Sequence, residues 1–122
     1  MNLSVSDIKV FVPCKDYQVS LAFYQALGWE LKADHGQLAE MELGGQRFFL
    51  QDYFQKDWAH NFMIYLNVAD AQAWYEQATK VIAKNEFAAA KVIAPQKQAH
   101  GHIVCFVHDP SGVLLHFGQA IE

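Results

Sequence analysis

Residues 16–30, DYQVSLAFYQALGWE, decide how the rest of the chain is read. Val19, Ala22, Phe23, Ala26 and Leu27 recur at i, i+3, i+4, i+7 and i+8, which predicts one apolar stripe along a helix. Gly28 stands where a C-terminal cap belongs. Upstream, Ile8, Val10 and Val12 alternate with Lys9 and Phe11, a half-buried strand ended by Pro13. Downstream, three short strands fit residues 29–33, 38–43 and 47–51, and Gly44-Gly45 turns the chain between the last two. The order is strand, helix, three strands.

The same order restarts after residues 52–60 (DYFQKDWAH), which read as a linker. Phe62, Ile64, Leu66 and Val68 alternate with Met63, Tyr65 and Asn67. Asp70 is placed to cap a second helix, whose stripe is Ala71, Trp74, Ala78, Val81 and Ile82. Strands then fit residues 91–93, 102–108 and 113–118, the last two joined by Asp109-Pro110-Ser111-Gly112 in type I turn order. Lys9 to Asp16 and Met63 to Asp70 have the same spacing, each a strand leading to an acidic residue before a helix. The reading is a single α+β domain over residues 1–122, with one βαβββ module at 7–51 and another at 61–119. Neither module alone could cover its sheet, so the two should combine.

Composition excludes several partners. At 122 residues the chain holds one core. With 52% hydrophobic and 18% charged residues it is globular in composition. A net charge of -4 and the absence of any Lys/Arg run argue against nucleic acid. No stretch approaches a membrane span, and residues 1–9 lack the pattern of a signal peptide. Cys14 and Cys105 are far apart and in no CxxC spacing, as expected of reduced thiols in a cytoplasmic protein.

The strand faces indicate where chemistry could occur. Helices must cover one side of each sheet, and that side should be apolar. The sets Ile8/Val10/Val12, Phe48/Leu50, Phe62/Ile64/Leu66/Val68 and Val113/Leu115/Phe117 fit it. The opposite sets are mixed: Lys9 and Phe11; Arg47, Phe49 and Gln51; Met63, Tyr65 and Asn67; Leu114 and His116. Mixed faces on four strands suit a wet, aromatic-lined cavity, around which the sheet curves with the helices on its convex side. An ordinary solvated face or a dimer interface is the plainer alternative.

Two segments carry a family resemblance. Residues 16–30 resemble the D-x-x-x-S-x-x-FY-x-x-LGF/W segment of the vicinal-oxygen-chelate superfamily, the glyoxalase, bleomycin-resistance and extradiol-dioxygenase group. Residues 109–119 (DPSGVLLHFGQ) resemble its closing DP-x-G-x-x-x-E hairpin. In metal-using members four strand residues converge on one ion. Carried over by position, these are Lys9, Phe49, Met63 and His116. Phe49 and His116 each lie four residues after a turn glycine, Gly45 or Gly112, which supports the registration. Only His116 is a competent ligand for a borderline divalent cation, so neither metal nor other cofactor is expected.

The resemblance therefore implies a small-molecule binder of the glyoxalase/bleomycin-resistance type. It would be a homodimer holding an aromatic or amphipathic compound in aromatic-lined grooves. The alternative is a lyase, isomerase or dioxygenase of the same superfamily with an atypical site. A third possibility is a regulatory partner with no small ligand. The expected ligand contacts are Lys9, Phe11, Arg47, Phe49, Gln51, Met63, Tyr65 and His116. His116 is also the only candidate general base. With Lys9 and Arg47 facing the cavity, an anionic or neutral ligand is as plausible as a cationic one. Glu40, Glu42, Asp52 and Asp57 are not assigned. His100 and His102 read as loop and strand-end histidines, and Phe23 and Trp74 as core. Cys105 either lies opposite His116, where a thiolate could form, or is a small buried hydrophobe.

Overall fold

The computed structural model describes residues 1–121. The elements are β1 (Phe11–Pro13), α1 (Tyr17–Leu27), β2 (Glu30–Asp34), β3 (Leu38–Leu43), β4 (Gln46–Gln51), α2 (Lys56–Ala59), β5 (Met63–Asn67), α3 (Ala71–Ala83), β6 (Lys91–Lys97), β7 (His102–His108) and β8 (Leu114–Ala120). The strands make two four-stranded mixed sheets, ordered β1-β4-β3-β2 and β5-β8-β7-β6. In each, the first strand lies parallel to the last and the remaining pairs are antiparallel. The expected α+β repeat of two βαβββ modules is therefore present in the topology.

Local chemistry explains the shared parts. Asp16 accepts from the Val19 amide at 3.2 Å and Asp70 from the Ala73 amide at 3.0 Å, so each module opens its helix with the same cap. Gly44 and Gly45 have φ of 58° and 79°, the two positive values that a two-residue hairpin turn demands. Leu43 consequently pairs with Gln46, and the register of the β3–β4 hairpin follows.

The two modules share one core. α1 and α3 touch, with the Gln77 side chain donating to the Ala26 carbonyl at 2.9 Å and Trp29 lying 6.4 Å from Trp74. The two segments that carry the family resemblance also bond to each other. Tyr24 of α1 donates to the buried Asp109 carboxylate at 2.7 Å, and Asp109 also accepts from the Ser111 and Val113 amides. Burial raises the Asp109 pKa above the usual carboxylate value, against the lowering effect of those bonds.

Three expectations need correction. Ile8 and Val10 do not pack under the helices: they are 84% and 49% exposed, and only Val12 of that set is buried. β1 begins at Phe11 because pairing with β4 begins there, and Pro13 is part of the strand. The buried face of α1 is Tyr17, Ser20, Leu21, Phe23, Tyr24 and Leu27, whereas Ala22 is exposed. The stripe is turned because the helix must meet both its own sheet and α3. β6 runs four residues past the expected end, with a register shift between Ile93 and Gln96.

Candidate functional site

One face of each sheet is left uncovered by the helices. On the second sheet Phe62, Ile64, Leu66 and Val68 pack into the core as expected, so Met63 and Tyr65 project the other way and are 63% and 43% exposed. Tyr65 pairs with His116, and His116 with Phe106 across β7. Their rings gather on this face, His116 lying 5.6 Å from Tyr65 and 5.0 Å from Phe106. Gly118 makes this possible, because a Cβ there would collide with the Tyr65 hydroxyl end. The Tyr65 oxygen is 3.3 Å from His100 Nε2, and the His100 and His102 rings stack at 4.7 Å and 24°. Burial first, and the nearby His100 second, hold the His116 imidazole below its ordinary pKa of 6.5, which favours its neutral form.

The corresponding face of the first sheet carries charge. Phe11 and Phe49 meet at 5.1 Å, and the Lys9 ammonium lies 5.7 Å from the Phe49 ring while donating to Asp7 at 2.6 Å. Arg47 donates to Glu42 at 2.8 Å and to Glu40 at 3.4 Å. The bond from Arg47 holds Glu42 below its ordinary pKa. Lys9 and Arg47 are thus each paired with carboxylates on this face.

The expected contacts divide between the sheets. Lys9, Phe11, Arg47, Phe49 and Gln51 belong to the first, and Met63, Tyr65 and His116 to the second. Of these, Arg47 and Tyr65 line a common groove of about 670 Å³ whose walls include Val10, Phe48, Leu66 and Trp74. Trp74 lies half-buried there, stacked on Phe117 at 4.6 Å.

The donor set does not fit a divalent metal. Phe49 has no donor atom, Met63 is a solvent-facing thioether, the Lys9 amine is tied to Asp7, and His116 is packed between rings. Among the described residues no three His, Cys, Asp or Glu side chains converge. The thiolate alternative fails as well. Cys105 pairs with Phe117, points to the core side and is fully buried, and burial pushes its thiol up to about 11.

Sequence reasoning missed Glu40, Glu42, Phe106, His100 and His102. The register would have found the first three: a two-residue turn at Gly44-Gly45 sets Glu42 opposite Arg47 and Glu40 opposite Phe49, and Phe106 faces His116. His100 and His102 are two residues apart around Gly101, whose φ is 82°, and their rings end on the same side.

No curated protein matches the chain. Among solved structures, the bleomycin resistance determinant encoded on the transposon Tn5 superposes with a TM-score of 0.79 at 23% identity, over 94% of this chain and 98% of that one. The bleomycin-binding protein of Streptomyces verticillus, complexed with copper(II)-bleomycin, gives 0.77 at 20% over 98% and 100%. A lactoylglutathione lyase of Agrobacterium tumefaciens gives 0.65 at 17% over 95% of each chain. At these identities the likeness shows the fold. A family model described as the Glyoxalase/Bleomycin resistance protein/Dioxygenase superfamily matches residues 8–117, and the chain belongs to that superfamily.

Proposed function

We propose that this protein is a cytoplasmic small-molecule binder that holds an aromatic or amphipathic compound without a metal, in grooves completed by a second copy of the chain. The observation that carries the reading is the open ring cluster of Tyr65, Phe106 and His116 on the second sheet. Such a surface gives stacking area and few charges, which suits a planar guest and requires no catalytic group. The superposition on bleomycin-binding proteins supports the same class of function. The donor chemistry at Lys9, Phe49, Met63 and His116 supports metal independence.

Pairing of chains is supported by the apolar side chains left in solvent. Leu3, Val5, Ile8, Val10 and Phe11 are exposed in and before the first strand, and Met63 and Tyr65 are exposed on the second sheet, apolar surface that a second copy of the chain could cover. Among the described residues no helix is long and apolar enough to cross a membrane.

The test is a thermal-shift screen of planar cationic, neutral and anionic aromatics, with divalent cations as a separate arm, beside light scattering. The expected result is a dimer of the 13.8 kDa chain, stabilised by an aromatic compound and indifferent to cations. A cation-dependent rise in melting temperature, with no response to any aromatic, would overturn the reading.

A further inference from the structure

A second cavity, sharing no residue with the ring cluster or the groove, lies beside the turn at residues 109–112. Its volume is about 530 Å³, it is open to solvent on one side, and its walls carry Lys15, Lys56, Lys91, His60 and His108, with Phe54 as the aromatic member. No carboxylate lines it, in a chain with 13 acidic against 9 Lys and Arg residues. The position follows from the fold. Lys91 pairs with His108 across β6 and β7, at the end of β7 away from His102, roughly 20 Å along the strand. The His60 ring fills the space beside Gly112, where any Cβ would strike it. The Lys15 amide donates to Ser111 at 2.8 Å, which seats that lysine against the same turn.

The nearby acids are committed elsewhere or outside the wall. Asp109 is buried and takes its bonds from Tyr24 and two amides. Asp16 caps α1, and Asp57, next to Lys56, is not part of the lining. Among the described residues every ion pair within 4 Å uses Lys9, Lys32, His35 or Arg47, and none uses the three lysines of this cavity. Burial lowers the His108 pKa, and Lys91 and His60 lower it further, so the positive groups already repel one another here.

From this arrangement we propose that the cavity is a binding site for a compact anion of two or more negative charges, such as a phosphate ester, a diphosphate or a polycarboxylate. Like-charged groups held around one concavity without counter-charge are relieved by such a ligand, and a concave wall strengthens its field. The concavity is local and no Lys/Arg run in the sequence extends it into a stripe, which favours a small anion over nucleic acid.

The test is calorimetric titration of the whole protein with inorganic pyrophosphate and, separately, with citrate, each at ionic strength matched with sodium chloride. Lys15→Gln, Lys91→Gln and the double variant are compared with Lys80→Gln, an exposed lysine on α3 outside the cavity. Saturable binding weakened about threefold by each single change and about tenfold by the pair, with Lys80→Gln unaffected, is the expected result. A preference for pyrophosphate assigns phosphate chemistry, and a preference for citrate assigns carboxylates. No binding of either anion, or equal binding by wild type and the double variant with unchanged melting temperature, overturns the proposal. An aromatic screen that fails leaves this result untouched, because the two sites share no residue.

Discussion

The open faces of the two sheets have the same register and opposite chemistry. Phe11 sits beside Phe49 in the first sheet as Tyr65 sits beside His116 in the second. Around Phe49 lie Lys9, Arg47, Glu40 and Glu42 in contact with one another. Around His116 lie Tyr65, Phe106 and, through Tyr65, the stacked His100 and His102. Both faces expose a ring, Phe11 on the first and Tyr65 on the second, but the first surrounds its rings with ion pairs and the second with further rings. The core-facing sides did not diverge in this way, since both must fill a common interior. Shared topology thus constrains the buried half of each strand and leaves the outward half free to specialise.

The largest effect should come from what the modules share. Asp109→Ala removes the acceptor of the Tyr24 hydroxyl and of the Ser111 and Val113 amides in a fully buried place. Leaving those donors unpaired should cost on the order of 3–5 kcal/mol, a fall in melting temperature of roughly 10 °C or more for a domain of this size. Tyr24→Phe loses one bond and should cost about 1–2 kcal/mol. Urea denaturation of both variants checks the order; an Asp109→Ala protein as stable as wild type would remove the turn from its role as the tie between modules.

That tie also shows why the fold was legible and parts of it were not. The FY pair and the DP-x-G turn, 85 residues apart in sequence at Tyr24 and Asp109, are readable as motifs, and their contact fixes the two halves. The alternation around Met63 and Tyr65 and the cap at Asp70 were equally plain, because local periodicity and a side-chain bond specify them. Ile8 and Val10 misled because alternation marks a strand pattern without saying whether a helix covers that side: Val10 still accepts from the Phe49 amide at 2.9 Å, yet its side chain is exposed. The four-residue α2 has no side-chain cap at Gln55 and no periodicity to read. The acidic members of the first face were concealed because facing was judged strand by strand, when the Gly44-Gly45 turn had already fixed them opposite Arg47 and Phe49.

Ligand affinity should separate the faces next. Tyr65→Ala removes the central ring of the second face and should weaken an aromatic ligand at least about tenfold, near 1.4 kcal/mol. Gly118→Ala should reproduce much of that loss without deleting the ring, since a methyl there displaces the tyrosine. Phe49→Ala, on the face of ion pairs, should weaken binding less. If Phe49→Ala proves the more damaging in a titration with the best compound of the screen, the two faces exchange roles.

A pH series of denaturation curves should place the faces in different windows. His116 has a folded pKa below its ordinary 6.5, so the unfolded chain binds its proton first as pH falls. Its contribution is complete well above 6.5 and is lost as pH drops through 6.5 toward the lowered value, so stability rises with pH across that window. His108 adds in the same direction. Glu42 has a folded pKa below 4.5, and its contribution, present above 4.5, is lost only as pH falls further. His116→Gln should therefore flatten the curve near pH 6 and leave the acid limb, while Glu42→Gln should do the reverse.

The smallest effect is expected at Arg47, although it makes the most conspicuous polar contacts on either face. Its guanidinium reaches Glu42 and Glu40 on an exposed strand, where water and salt screen the pairs and the long side chain loses rotamer freedom to hold them. Arg47→Gln should change melting temperature little at low salt and not at all at high salt. Its consequence should be one of charge: with the cation gone, Glu40 and Glu42 are left facing outward with Lys9, Lys32 and the His35 ring as their remaining partners within 4 Å. The variant should then favour cationic over anionic aromatics relative to wild type, a shift that the charge-sorted screen reads directly. An unchanged preference would mean that the charged face takes no part in choosing the ligand, and that the rings around Tyr65 choose it alone.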